Sequence, residues 1–194
     1  MYEILNTPVN YGGLELKNRV IFAPTSLGLP QEEQLERLRA IAAGGCAMII
    51  IGDAPVGRHG FGPSLYSKKG FAWYTRLTRA IHAEGCLVCA QLHQSDSNVK
   101  AMLKYVPGVL TKRISMQELR PLLNQEVGPY ITKLPAQKVA RITDAFGTAA
   151  ERAMQLGFDM VQVHGDRMCG SFSSALFNHR TDDYGGGAEN RARF

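Results

Sequence analysis

The sequence predicts an α/β protein with a parallel sheet, assembled from four consecutive strand–helix units. Short, almost continuously apolar runs alternate with longer segments in which apolar residues recur every three or four positions, and glycines mark the boundaries. No G-x-G-x-x-G follows the first strand and no G-x-x-x-x-G-K-[ST] occurs anywhere, which disfavours a nucleotide-binding Rossmann sheet. What remains is barrel-like, with the loops after successive strands converging on one face.

Residues 2–16 carry Pro8 and the pair Gly12 and Gly13, and read as a small hairpin or cap ahead of the main sheet. The first strand is residues 19–23 (RVIFA), ended by Pro24. A turn at residues 28–30 precedes a helix marked by Leu35, Leu38, Ile41 and Ala42 and stopped by Gly44 and Gly45. Residues 47–51 (AMIII) form a buried second strand, residues 52–63 a Gly/Pro-rich loop, and residues 73–84 an amphipathic helix closed by Gly85. The third strand is residues 87–92. A long irregular excursion over residues 94–134 follows, with one short helix near residues 116–123. Val139, Ile142, Phe146, Ala149, Ala153 and Leu156 then define a helix over residues 136–156. The fourth strand, residues 160–163 (MVQV), opens into a polar, Gly-rich segment, and another helix starts near Glu189.

With 194 residues, one core is expected; 45% hydrophobic and 20% charged residues are ordinary for a folded globular chain. The net charge of +5 is spread among acids rather than gathered in a stripe, so nucleic acid is not the expected partner and an anionic cofactor or substrate is the milder reading. Apolar runs such as residues 46–51 are far shorter than the roughly 20 residues that cross a bilayer, and the amino terminus lacks a basic-then-apolar leader; the expectation is a cytoplasmic protein without a membrane partner. Cys86 and Cys89 spell C-x-x-C, but in an extended run an offset of three sends their side chains to opposite sheet faces, so both are expected as buried structural thiols. Nothing has metal-ligand spacing, and no metal is expected.

Five stretches carry a family resemblance: residues 16–20 (LKNRV), 39–45 (RAIAAGG), 80–85 (AIHAEG), and above all 178–186 (NHRTDDYGG) with 189–194 (ENRARF). The chain resembles, over essentially its whole length, the amino-terminal half of the Old Yellow Enzyme family, the FMN-dependent NAD(P)H:flavin oxidoreductases and ene-reductases, including the 2,4-dienoyl-CoA and 2-enoate reductase branch. The resemblance implies a (β/α)8 TIM barrel of which residues 1–194 supply the first four units, a half-barrel with a cap over residues 1–17. It implies FMN as cofactor, NADH or NADPH as reductant, and a small activated alkene as substrate. Pro24 and Thr25, with Ser26 beside them, match the loop that packs on the flavin; Gln91 matches the glutamine that hydrogen-bonds its pyrimidine ring; His164 matches a donor to the substrate's carbonyl or nitro oxygen.

The departures are equally specific. Arg167 stands where the family has a second His or Asn, and Cys169 where it has a proton-donating tyrosine. Residues 52–54, with Asp53 and Ala54 beside the flavin, replace Glu-Ala-Thr, and Gln94, Ser95, Asp96 and Ser97 replace His-Ala-Gly-Arg. His59 and His93 lie in loops expected to approach the site. The group Asn178, Arg180, Asp183 and Tyr184 is expected to fix the loop and the following helix through charge-assisted hydrogen bonds. The family's phosphate-binding loops belong to strands seven and eight, so weak or absent FMN binding is expected of these residues alone. The alternative to an incomplete ene-reductase is a non-catalytic half-barrel that forms a homo-oligomer or pairs with a complementary chain, covering its sheet edges.

Overall fold

The computed structural model describes residues 2–25, 27–57 and 63–194; Ser26 and His59 lie outside them. The elements are β1 (Val9–Tyr11), β2 (Leu14–Leu16), β3 (Ile21–Phe22), α1 (Gln31–Ala43), β4 (Met48–Pro55), α2 (Lys68–His82), β5 (Leu87–His93), α3 (Val99–Leu110), α4 (Met116–Gln125), α5 (Val127–Lys133), α6 (Ala136–Gln155), β6 (Met160–Val163), α7 (Arg167–Ser173) and α8 (Ala188–Arg191). They group into two compact units, one holding the chain up to His93 together with Ala145–Val163, the other Gln94–Asp144 with His164–Phe194.

In the first unit, β1 and β2 form an antiparallel hairpin. Its turn needs two left-handed residues, which Gly12 (φ 60°) and Gly13 (φ 91°) supply at no steric cost. The main sheet runs β3-β4-β5-β6, every neighbour parallel. Its two faces differ. Ile49, Ile51, Val88 and Ala90 point into one core with Leu35, Leu38 and Ala42 of α1, Leu77 and Ile81 of α2, and Ala149 and Ala153 of α6. Met48, Ile50 and Cys89 point into a second core, closed by Leu16 and flanked by Val9 and Leu14 of the hairpin. Helices on one face and a hairpin at the foot of the other is barrel topology; a doubly wound sheet would carry helices on both. Cys86 and Cys89, 1% and 0% exposed, fall in different cores, as alternation requires.

Three contacts set the start of β6. Gly157 (φ 88°) ends the helix, and the Thr78 hydroxyl donates to the Leu156 carbonyl at 2.8 Å. The Asp159 carboxylate then accepts from the Val88 amide at 2.7 Å and meets His82 Nε2 at 2.8 Å.

Several expectations change. The first strand shrinks to two residues, because Arg19, Val20 and Ala23 lie outside the parallel pairing. The second extends through Pro55, so residues 52–55 are strand rather than loop. The helix placed at 73–84 begins at Lys68, where Ser67 caps it by accepting from the Gly70 amide at 3.0 Å.

In the second unit, the excursion expected to be irregular holds three helices. The short helix expected near residues 116–123 is present as α4, opened by a reciprocal capping box between Ser115 and Glu118; α3 and α5 are new, and Pro107 and Pro129 disguised them, α3 being capped by Asn98, which accepts from the Ala101 amide. Their continuation packs Val127, Ile131 and Leu134 against Val139, Met168 and Phe172.

Candidate functional site

Polar groups of the first unit gather at the carboxyl ends of its strands, where loops of a β/α barrel bind ligands. Gln91, 8% exposed in the middle of an otherwise apolar strand, donates from Nε2 to Gln162 Oε1 at 2.9 Å. That bond is built by register, since Gln91 and Gln162 are direct partners in the β5–β6 ladder. It orients the Gln91 amide and leaves Oε1 and the second N–H for other partners. Gln162 itself had a legible signal, a polar residue between two valines of a short strand.

Opposite Gln91 the β4–β5 ladder slips. Ile51 pairs with Ala90 but Ala54 with Leu92, so Gly52 and Asp53 together oppose Gln91 in a bulge. Asp53 absorbs it with φ 56°, a left-handed conformation that non-glycine residues rarely hold. Its carboxylate is exposed, whereas Ala54 is fully buried. A side chain at Gly52 would fill the space there, with its Cβ 3.5 Å from Pro24 Cβ, 3.7 Å from the Thr25 amide and 3.8 Å from Gln91 Oε1. Pro24, Thr25, Asp53, Ala54 and Gln91 are thus brought to one strand end.

This donor set fits the pyrimidine edge of a flavin: a primary amide offers a donor and an acceptor together, and a glycine leaves room for a planar ring to approach backbone. A cavity of about 90 Å³ lined by Phe22, Thr25, Gln34, Leu38, Ile50, Ile51, Gly52 and Asp53 adjoins it. It is far smaller than the roughly 300–1,000 Å³ of ligand pockets, so it is not by itself a site for a ring of flavin size.

The other three expected residues fall in the second unit. His164 directly follows β6 and is half-buried. Arg167 is exposed and opens α7 with φ 61°. Cys169 lies one turn in, half-buried, with its thiol held above the ordinary value by burial. The segment read as a Gly-rich loop therefore contains a helix. It escaped notice because seven residues including a glycine and two serines have little helical propensity, and Met168 and Phe172, both fully buried, hold it by packing. Among the described residues no cluster of His, Cys, Asp and Glu could hold a metal ion.

The NHRTDDYGG stretch acts as a brace. Asn178 donates to the Phe172 and Tyr184 carbonyls, both at 2.7 Å. Arg180, 6% exposed, donates from Nη1 to the carbonyls of Ile131 (2.8 Å) and Leu134 (2.6 Å) and forms a two-pronged pair with Asp182. That hydrogen bond holds the Asp182 carboxyl below the usual range. The Phe194 ring stacks on Phe172 with centroids 4.4 Å apart.

A parallel sheet with helices on one face and polar groups at its strand ends defines the β/α-barrel class, and comparisons narrow it. The profile of the NADH:flavin oxidoreductase / NADH oxidase family matches residues 4–194. The bilirubin reductase of Clostridium symbiosum is 60% identical over this whole chain, which spans 52% of that protein. The bilirubin reductase of Mediterraneibacter gnavus is 32% identical over 96% of the chain and 30% of its own length. Among solved structures, the Old Yellow Enzyme from Pichia sp. AKU4542 superposes with a TM-score of 0.76 at 23% identity, over 98% of this chain and 53% of its own. The chain belongs to the NADH:flavin oxidoreductase / NADH oxidase family. It folds as about the first four β/α units of the barrel and spans about half the length of the Clostridium symbiosum relative.

Proposed function

We propose that these residues form the amino-terminal part of an FMN-dependent reductase that adds a hydride, drawn ultimately from NADH or NADPH, to an activated C=C bond, and that bilirubin is the first substrate to test. The 60% identity with a bilirubin reductase across the whole chain carries the proposal. Gln91, oriented by Gln162, would hold the pyrimidine edge of FMN, with the Pro24 and Thr25 backbone beside the ring and Asp53 and Ala54 completing the strand end. Bound FMN supplies the hydride.

Hydride addition to a conjugated C=C drives negative charge onto the conjugated oxygen. A hydrogen bond from His164 and the permanent charge of Arg167 would stabilise that oxygen. A thiol is protonated at neutral pH, and burial pushes the Cys169 thiol further in that direction, so it could deliver the proton that completes the addition.

The whole reductase of which these residues are the proposed amino-terminal part is titrated with FMN by flavin absorbance, and anaerobic oxidation of NADH and NADPH is followed with bilirubin and with a simple cyclic enone. The expected result is flavin binding and bilirubin-dependent oxidation that His164→Ala and Arg167→Ala each slow by about 100-fold, the usual loss on removing one oxyanion donor. Protein that stays colourless with excess FMN sinks the reductase reading. Turnover with the enone but never with bilirubin sinks the substrate assignment alone.

A second reading has its own support. The outer strands of the sheet expose Ile21 (45%) and Val163 (51%), apolar residues at strand edges. A homo-oligomer or a complementary half-barrel chain would cover them. A solution mass equal to one chain, in protein that remains soluble, argues against it.

A further inference from the structure

A buried carboxylate lies outside the candidate site residues. Asp96 is 8% exposed and accepts a 2.6 Å hydrogen bond from Ser171 Oγ, itself 5% exposed, across 75 residues of chain. Two residues earlier, the Gln94 carbonyl accepts from the Met168 amide at 3.2 Å. Both bonds end on α7, the helix that carries Arg167 and Cys169.

That helix has little to hold it by itself. It is seven residues long, opens on the strained Arg167, and its N-cap residue Asp166 makes no side-chain capping bond. A helix this short is not stable alone. Met168 and Phe172 anchor its buried face but do not fix where along that face it sits, since apolar packing is non-directional. A short hydrogen bond to a charged oxygen is directional, and a buried carboxylate that loses its donor is costly, so the pair resists sliding as well as separation. Tyr130 feels the same charge: burial first, and Asp96 second, raise its phenol above the ordinary value.

We propose that Asp96, acting through Ser171, is a positioning residue that sets the register of α7 and so places Arg167 and Cys169. The consequence for turnover rests on the reductase reading above; the latch itself does not.

The structure supplies its own probe. Of the four cysteines, Cys46, Cys86 and Cys89 are buried and Cys169 is the half-buried one. Alkylation by iodoacetamide, read thiol by thiol by mass spectrometry, reports release of α7 through Cys169 and global unfolding through the other three. Ser171→Ala should speed Cys169 labelling by about tenfold, the factor expected for loss of one charge-assisted hydrogen bond, with the other three thiols still protected. Asp96→Asn keeps an acceptor oxygen and should label at close to the wild-type rate, whereas Asp96→Ala should behave like Ser171→Ala. Unchanged Cys169 labelling in Ser171→Ala overturns the latch, as does a parallel rise at all four thiols in both alanine variants. In the flavin-loaded enzyme, Ser171→Ala should lower kcat more than it raises KM. Faster labelling with unaltered kcat would keep the latch and remove Arg167 and Cys169 from the chemistry.

Discussion

Replacing Arg180 by alanine tests whether the most family-specific stretch of the chain is scaffold or chemistry. The guanidinium is 6% exposed and carries hydrogen bonds to the Ile131 and Leu134 carbonyls and to both Asp182 oxygens. In Arg180→Ala the two buried carbonyls lose their donor, at about 1–3 kcal/mol each. Asp182 is 39% exposed at its side chain and re-solvates cheaply. The guanidinium lying 5.8 Å from the Phe172 ring centroid adds a further loss of about 0.5–1 kcal/mol. A destabilisation of about 2.5–7 kcal/mol follows, a large part of a stability of roughly 5–15 kcal/mol. Arg180→Lys keeps the charge but not the fork, and should lose about half as much. Urea unfolding at neutral pH followed by circular dichroism measures both. A loss below about 1 kcal/mol in Arg180→Ala, or a fall in turnover at unchanged stability, would refute the scaffold role.

Three further outcomes are expected. Gln91→Ala should raise the FMN dissociation constant by about 10–100-fold, because the flavin loses the amide and Gln162 loses its donor; unchanged affinity in an absorbance titration removes Gln91 from the site. Asp53→Gly should be tolerated without loss of stability, while Asp53→Val should cost about 1–2 kcal/mol, since a β-branched side chain cannot hold φ 56°; equal denaturation midpoints would mean the bulge relaxes. Burial pushes the Cys89 thiol up to about 11 from its ordinary 9.0, so the unfolded chain loses that proton first. This thiol's stability contribution is whole below pH 9 and declines by about 1.4 kcal/mol per pH unit until about pH 11; Cys89→Ala should flatten the decline in denaturant midpoints over that window.

Much of this molecule is legible in the linear chain, because the signals are local. The turn at Gly12 and Gly13, the stop at Gly44 and Gly45, and the apolar runs of β4 and β5 follow from backbone sterics and burial acting within a few residues. The opposite facing of Cys86 and Cys89 is a matter of strand period alone. Gln91 stands out as a polar residue in a buried strand, and the resemblance at residues 178–194 leads to the family the comparisons show.

What only the tertiary structure decided depends on partners distant in sequence. Periodicity alone leaves an open sheet and a barrel equally allowed; the missing phosphate fingerprints and the family resemblance favour the barrel, and the physical ground for it appears when α1, α2 and α6 all pack on one face and the hairpin closes the other. The slip that sets Asp53 against Gln91 arises from pairing two strands, a property neither strand has alone. Helix α7 exists because Met168 and Phe172 find a core made by residues 127–139, and the bond from Ser171 to Asp96 joins positions 75 apart. Local propensity argues against that helix, and burial with hydrogen bonds to residues distant in sequence outweighs it.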